Sequence, residues 1–279
     1  MISMAKIEIG KKVRSLLAAA GLFQSVLLFI VVVGAFFMGS LWTKVQILEK
    51  GGIAATAGTQ PAAQEATQQR KAATLDEVKS AFDKGVIKFG KSNSKLLLVE
   101  VADPSCPYCS IAAGHNPALN KEAGGQFVMV ADGGSYVPPV LEFEKLVKSG
   151  KASLVYLYTP GHGNGEMGVK AMYCAFEKDK FWEVHDKLMT AGGYDLLNNV
   201  VKNDKAKSAE LSQFLASVFD ANEMKSCLDS GKYDGTPAEE TAIARSLGVS
   251  GTPGFYINAQ LFPGAYNYTD MESAVQSAL

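Results

Sequence analysis

An apolar run of strand length, Lys95 to Asp103 (KLLLVEVAD), leads within two residues into Cys106-Pro107-Tyr108-Cys109. This join constrains the fold more than any other stretch of the chain. The run is nearly continuous in apolar residues and ends in turn formers, so it reads as a buried strand. Pro107 suits the first turn of a helix, where its missing N–H would have no partner anyway. The cysteine pair therefore falls between a buried strand and a helix start. The free N–H groups and positive potential of that start favour a thiolate at Cys106. Two residues of spacing on a helical turn bring Cys109 within bonding reach. Cys106 is then the attacking and attacked sulfur, and Cys109, one turn deeper, the resolving one.

Two competing readings of the pair are weaker. A zinc site needs four ligands, usually from two such pairs. Here Cys174 and Cys227 stand alone, and His115, His162 and His185 form no spaced pair. A purely structural bridge from Cys106 to Cys109 would be strained and easily reduced. A lone C-x-x-C beside α/β patterning is itself a redox signal. No metal and no cofactor are expected.

The rest of the chain supplies that patterning. Ala152 to Thr159 (ASLVYLYT) is a second predicted strand and Gly254 to Asn258 (GFYIN) a third. Between about residues 165 and 247, apolar residues recur at three- and four-residue spacing, which predicts a helical block. A short helix near Leu75 opens the folded part and MESAVQSAL closes it. Strand, active turn, helix, strand, helical block, strand and helix make an α/β domain with helices inserted in the middle. Phe181, Trp182 and His185 share one helix of the block and read as packing. Pro160 to Glu166 (PGHGNGE) is glycine-rich but lacks the Gly-Lys-Ser/Thr of a phosphate cradle, so it reads as a flexible loop near the active face.

The N-terminal part has a different character. No charged residue occurs from Ser15 to Thr43, and the centre, Leu22 to Gly39, is 18 residues long. At about 1.5 Å per residue it spans roughly 27 Å, close to a hydrocarbon core. Lys6, Lys11, Lys12 and Arg14 precede it, so the positive-inside rule puts residues 1–14 in the cytoplasm. Residues 15–43 are then an uncleaved transmembrane anchor, since a cleaved signal peptide would have a shorter apolar run and a nearer cleavage site. Residues 44–74, rich in Ala, Thr, Gln and Gly, read as a flexible linker that cannot bury a core. The folded domain, residues 75–279, is expected outside the cytoplasm. The formal net charge of −1 gives no pull towards nucleic acid.

A second motif sharpens the redox reading. In GVSGTPGFYIN (Gly248 to Asn258), Thr252-Pro253 precedes a strand, where an X-Pro bond can be cis. Pro253 lacks an N–H and leaves that strand edge open to an approaching backbone. The strand ending in Cys-Pro-Tyr-Cys, the inserted helices with AMYCAFEKDKFWEVHDKLM, and this motif together resemble the thioredoxin fold as elaborated in the DsbA-type disulfide oxidoreductases. The resemblance covers about residues 90–279. It implies a cis Thr252-Pro253 bond packed against Cys106, with substrate cysteines docking beside it. It also implies an acidic residue at the position of Glu100, beneath the active site, able to exchange a proton with Cys109. Asp103 is the competing acid, and a solvent-facing Glu100 is the plain alternative. The segment from Ser110 to about Val137 departs from that family's pattern, with Gly114, Pro117, Gly124 and Gly125 interrupting helix periodicity.

Cys174 and Cys227 fall on separate predicted helices. In a reducing compartment both would read as buried apolar side chains. Outside the cytoplasm they are expected to pair.

These features predict an extracytoplasmic thiol–disulfide oxidoreductase that introduces disulfides into exported proteins with cysteines. A single membrane segment cannot reoxidise it, which implies a separate membrane partner resembling DsbB or the vitamin K epoxide reductase family. Two alternatives stay open. One is the same fold run as a reductase or isomerase. The other is a tethered peptide-binding module with an inert cysteine pair.

Overall fold

The structure is a computed structural model that describes residues 73–279. The expected cytoplasmic end (1–14), the anchor (15–43) and the linker up to residue 72 lie outside the described residues. Among the described residues, no helix is long and apolar enough to cross a membrane.

Helix α1 (Leu75–Lys84) starts at a capping box: Glu77 N–H donates to Thr74 Oγ1 at 3.3 Å, and Thr74 N–H donates to Glu77 Oε2 at 2.7 Å. Such a cap contributes about 1 kcal/mol. Strands β1 (Ile87–Phe89) and β2 (Leu97–Ala102) follow, then α2 (Pro107–Ala113), α3 (Pro117–Glu122) and α4 (Pro139–Lys148). Strand β3 (Ser153–Tyr158) leads to the helical block, α5 (Glu166–Phe176), α6 (Phe181–Met189), α7 (Ala191–Asp195), α8 (Ser208–Phe214), α9 (Ala221–Asp229) and α10 (Thr236–Ser246). Strands β4 (Gly254–Ile257) and β5 (Gln260–Pro263) and helix α11 (Tyr268–Ala278) complete the chain.

The sheet order is β1-β3-β2-β4-β5. Only β2 and β3 run parallel; the other pairs are antiparallel. The central strands are buried along their whole length, which is why they read as continuous apolar runs. Side chains alternate between faces. Leu97, Val99 and Val101 pack with Val78 and Phe82 of α1 and with Ala244 and Leu247 at the end of α10. Leu98 and Ala102 face the other way, into a larger core with α2, α4, α11 and the helical block. Glu100 lies between them on this second face. At about 25 cal/mol per Å², the transfer of these side chains from water is the main force closing both layers.

Two strands were not predicted, and both are peripheral. β1 has three residues and β5 reads Gln-Leu-Phe-Pro with only Phe262 buried, so neither carries an apolar run. β5 pairs with β4, so the strand after Pro253 is internal to the sheet; the opening left by the proline is confined to the turn before it.

Candidate functional site

Cys106 is the N-cap of α2 and Pro107 its first residue. The turn places Cys106 at the carboxyl end of β2, against the segment before β4. The Thr252-Pro253 peptide is cis. Cys106 Sγ donates to the Thr252 carbonyl at 3.5 Å, and Thr252 Oγ1 is buried with no partner. That hydroxyl is free to donate to a Cys106 thiolate. Cys106 and Cys109 are both buried free thiols in this structure.

The two sulfurs differ sharply. The Cys106 thiol is lowered from 9.0 to about 6. The hydrogen bond from the Cys109 thiol is the largest cause; burial opposes it, and Thr252 and the N–H groups of Cys109 and Tyr108 assist. The Cys109 thiol is pushed well above 9.0, first by burial, then by sharing its hydrogen bond with Cys106 and by the charge there. The Asp103 N–H, 3.4 Å from Cys109 Sγ, offsets this only in part. Tyr108, between the sulfurs, is 49% exposed and meets Phe127 edge-on, with ring centroids 5.9 Å apart.

The two candidate acids separate cleanly. Asp103 is wholly buried but fully engaged. Its Oδ1 accepts from the N–H and hydroxyl of Ser105 at 2.8 and 2.6 Å. Its Oδ2 accepts from the N–H groups of Gly161, His162 and Gly163 at 2.8, 3.0 and 3.2 Å. Glu100 is 1% exposed, ruling out the solvent-facing alternative, and its Oε2 has no partner. Burial pushes its carboxyl from 4.5 up to about 7, against the opposing pull of His185 and with a further push from Asp186.

The packing helix contributes polar groups that sequence reasoning missed. His185 does pack, its ring stacked on Phe181 with centroids 5.5 Å apart. It is also buried beside Glu100, with Nδ1 2.9 Å from Asp186 Oδ1 and Nε2 unpartnered. His115 Nε2 lies 3.1 Å from the same Asp186 oxygen. The adjacent His-Asp pair was the available signal; only the placement of α6 over β2 gives it meaning.

The departing segment packs beside Tyr108 and is tied to the C-terminal part of the chain. Asn267 Oδ1 accepts from Val137 N–H at 3.1 Å, its Nδ2 donates to the Ser135 carbonyl at 2.9 Å, and the Tyr136 hydroxyl donates to the Ala265 carbonyl at 3.3 Å. Far from the pair in sequence, Cys174 on α5 and Cys227 on α9 are bridged, with Cα atoms 6.1 Å apart. Among the described residues, no group of three or more His, Cys, Asp or Glu side chains is placed to hold a metal.

A thioredoxin family model matches residues 141–277. Among solved structures, a cysteine-substituted variant of alpha-DsbA1 from Wolbachia pipientis superposes with TM-score 0.52 at 14% identity, covering 74% of this chain and 96% of that one. BdbD from Bacillus subtilis gives TM-score 0.47 at 15% identity, covering 68% of this chain and 91% of that one. Among curated proteins, the chain is similar to a Na(+)/H(+) antiporter NhaA 3 of Salinispora tropica, 26% identical over 193 residues, which is 68% of this chain and 24% of the relative. The chain thus spans about a quarter of the length of the curated relatives it matches. Solved neighbours include a protein described as a thiol–disulfide exchange protein, alpha-DsbA2 of Wolbachia pipientis, at TM-score 0.46 and 18% identity, covering 74% of this chain and 97% of that one. A mixed five-stranded sheet, a cysteine pair at the end of β2, a cis proline before β4 and the family match over its C-terminal half make the described part of this chain a thioredoxin-like α/β domain with a helical block between β3 and β4.

Proposed function

We propose that the chain is a membrane-tethered thiol–disulfide oxidoreductase that introduces disulfides into exported proteins. The asymmetry of the two sulfurs carries this reading: Cys106 is held at about 6, while Cys109 is raised far above it. In the oxidised form, a substrate thiolate attacks Cys106 Sγ, the Cys106–Cys109 bond breaks, and Cys109 leaves with the electron pair. A second substrate thiolate then attacks the substrate sulfur of the mixed disulfide, and Cys106 leaves as a stabilised thiolate. Two electrons pass from substrate to protein, and one substrate disulfide forms. The residues beneath the pair fit this sequence. Cys109 must take up a proton as it leaves, and Glu100 is the buried acid on its face of the sheet that has an unpartnered oxygen.

Several features support a site of action outside the cytoplasm. The apolar segment 15–43 follows a basic end, and the Cys174–Cys227 bridge suits an oxidising compartment. The reduced pair then needs a separate membrane oxidant, assigned to a partner resembling DsbB or the vitamin K epoxide reductase family. The deciding measurement is the reduction potential of the Cys106–Cys109 pair in glutathione buffers. A stabilised thiolate favours the reduced form, so the expected value lies near about −120 mV, and one near about −270 mV would instead support a reductase.

A Glu100→Gln variant separates the proton role from packing. The Glu100 carboxyl is raised in the folded state, so its neutral form favours folding. That contribution is complete below pH 4.5 and is lost as pH rises through about 7. The variant is therefore expected to be more stable than the parent above pH 7, by on the order of 3 kcal/mol, in urea titrations repeated across pH. Its reaction with substrate thiols is expected to slow by about tenfold or more in stopped-flow fluorescence. A stabilised variant with an unchanged rate would remove Glu100 from the mechanism.

A further inference from the structure

We propose that residues 160–165 form a fixed part of the surface that receives the substrate polypeptide beside Cys106, and that Asp103 is the positioning residue that fixes it. This rests on the redox reading above. The stretch Pro-Gly-His-Gly-Asn-Gly is rich in glycine, and its composition alone predicts mobility. The structure gives it little freedom. Three consecutive N–H groups, from Gly161, His162 and Gly163, converge on one oxygen of the buried Asp103 carboxylate. The next N–H, from Asn164, donates to Ser105 Oγ at 3.0 Å, and that hydroxyl donates to the other Asp103 oxygen. Asn203 Nδ2 holds the Gly163 carbonyl at 2.7 Å from the far side. Hydrogen bonds to a charged acceptor are worth about twice neutral ones, and the Asp103 acceptor they share is itself buried.

The position of the loop gives this rigidity a purpose. A Cβ at Gly161 would run into the Thr252 side chain and would stand 3.4 Å from Cys106 Cβ. A Cβ at Gly165 would strike the Asp103 carboxylate. The loop thus continues the platform of the cis Thr252-Pro253 turn across the flank of Cys106, while Gly161, His162 and Gly163 remain exposed. A polypeptide delivering its sulfur to Cys106 has to lie on or beside this ledge. The inward N–H groups are all engaged, so the ledge presents shape and the His162 side chain. Asp103 ties that shape to the redox turn itself, because its own N–H faces Cys109 Sγ.

A small dithiol does not need the ledge, whereas a peptide does. The test compares oxidised parent, Asp103→Asn and Gly161→Ala proteins reacting with dithiothreitol and with a reduced two-cysteine peptide. Amide hydrogen exchange at residues 161–163 is followed alongside. In Asp103→Asn these amides are expected to exchange faster, and the ratio of peptide rate to dithiothreitol rate to fall about tenfold. Gly161→Ala is expected to lower the same ratio by displacing the loop from Thr252, and it carries the test alone if Asp103→Asn does not fold. A freed loop with an unchanged ratio would overturn the proposal, as would an unchanged ratio in Gly161→Ala. Failure of the parent to react with either dithiol would overturn the redox reading instead.

Discussion

Replacing Cys106 with serine abolishes disulfide transfer to reduced substrates while leaving the fold intact. This is the largest effect expected of any single substitution. Serine cannot hold the disulfide that substrate attacks, so no electrons can be accepted. The loss is expected to be complete, below detection in a reduced-protein refolding assay. The side chain is nearly isosteric and sits at an N-cap position that favours serine, so the thermal midpoint is expected to stay within a few degrees of the parent. Cys109→Ser gives the complementary result. The serine hydroxyl replaces the Cys109 thiol as hydrogen-bond donor to Cys106, and the Thr252 contact stays, so Cys106 remains alkylated rapidly by iodoacetamide at pH 7, yet the protein does not turn over. Full refolding activity in Cys106→Ser would leave a peptide-binding module with an inert pair as the better account of the domain.

Removing the other disulfide has the largest expected effect on stability. The Cys174–Cys227 bridge closes a loop with a sequence separation of 53. In the chain-entropy model, opening such a loop in the unfolded state costs about 4 kcal/mol. Both sulfurs lie against the larger core, Cys174 buried within it and Cys227 packed at its edge, so two alanines also leave unfilled volume. For a domain of this size, the Cys174→Ala/Cys227→Ala protein is expected to melt about 10 °C lower by circular dichroism. The Cys106 thiolate, measured by its ultraviolet absorbance against pH, is expected to titrate as in the parent, because none of the groups holding it touches the bridge. A midpoint shift under about 2 °C would mean that α5 and α9 are held by packing alone.

The sequence announces the redox centre through local features: a continuous apolar strand, a proline suited to a helix start, and a Thr-Pro before a second strand. Each depends on residues within a few positions of one another. Glu100 was harder to place, because β2 is buried on both faces and alternation cannot say which face meets α2. The helices over Leu98 and Ala102 answer that, and they come from elsewhere in the chain. Asp103 looked like a rival acid for the same reason. Its engagement becomes visible only when residues 161–163 return to it, about sixty positions later. The glycines of that loop signalled freedom, whereas two of them, Gly161 and Gly165, permit close approach to a threonine, a cysteine and a carboxylate. Strands β1 and β5 escaped because their pairing, not their composition, makes them strands.

The contact between Cys106 and Thr252 joins residues 146 positions apart. At about 5–20 residues per second, the ribosome delivers the second partner on the order of ten seconds after the first. Throughout that interval the nascent chain carries Cys106 and Cys109 without the turn that later flanks them. Cys174 also emerges before Cys227 and could pair with either one. A chain that carries a reactive cysteine pair and a second, bridged pair is thus, while being made, exposed to scrambled bridges of its own. Its correct assembly depends on residues near 252 arriving before those wrong pairs close.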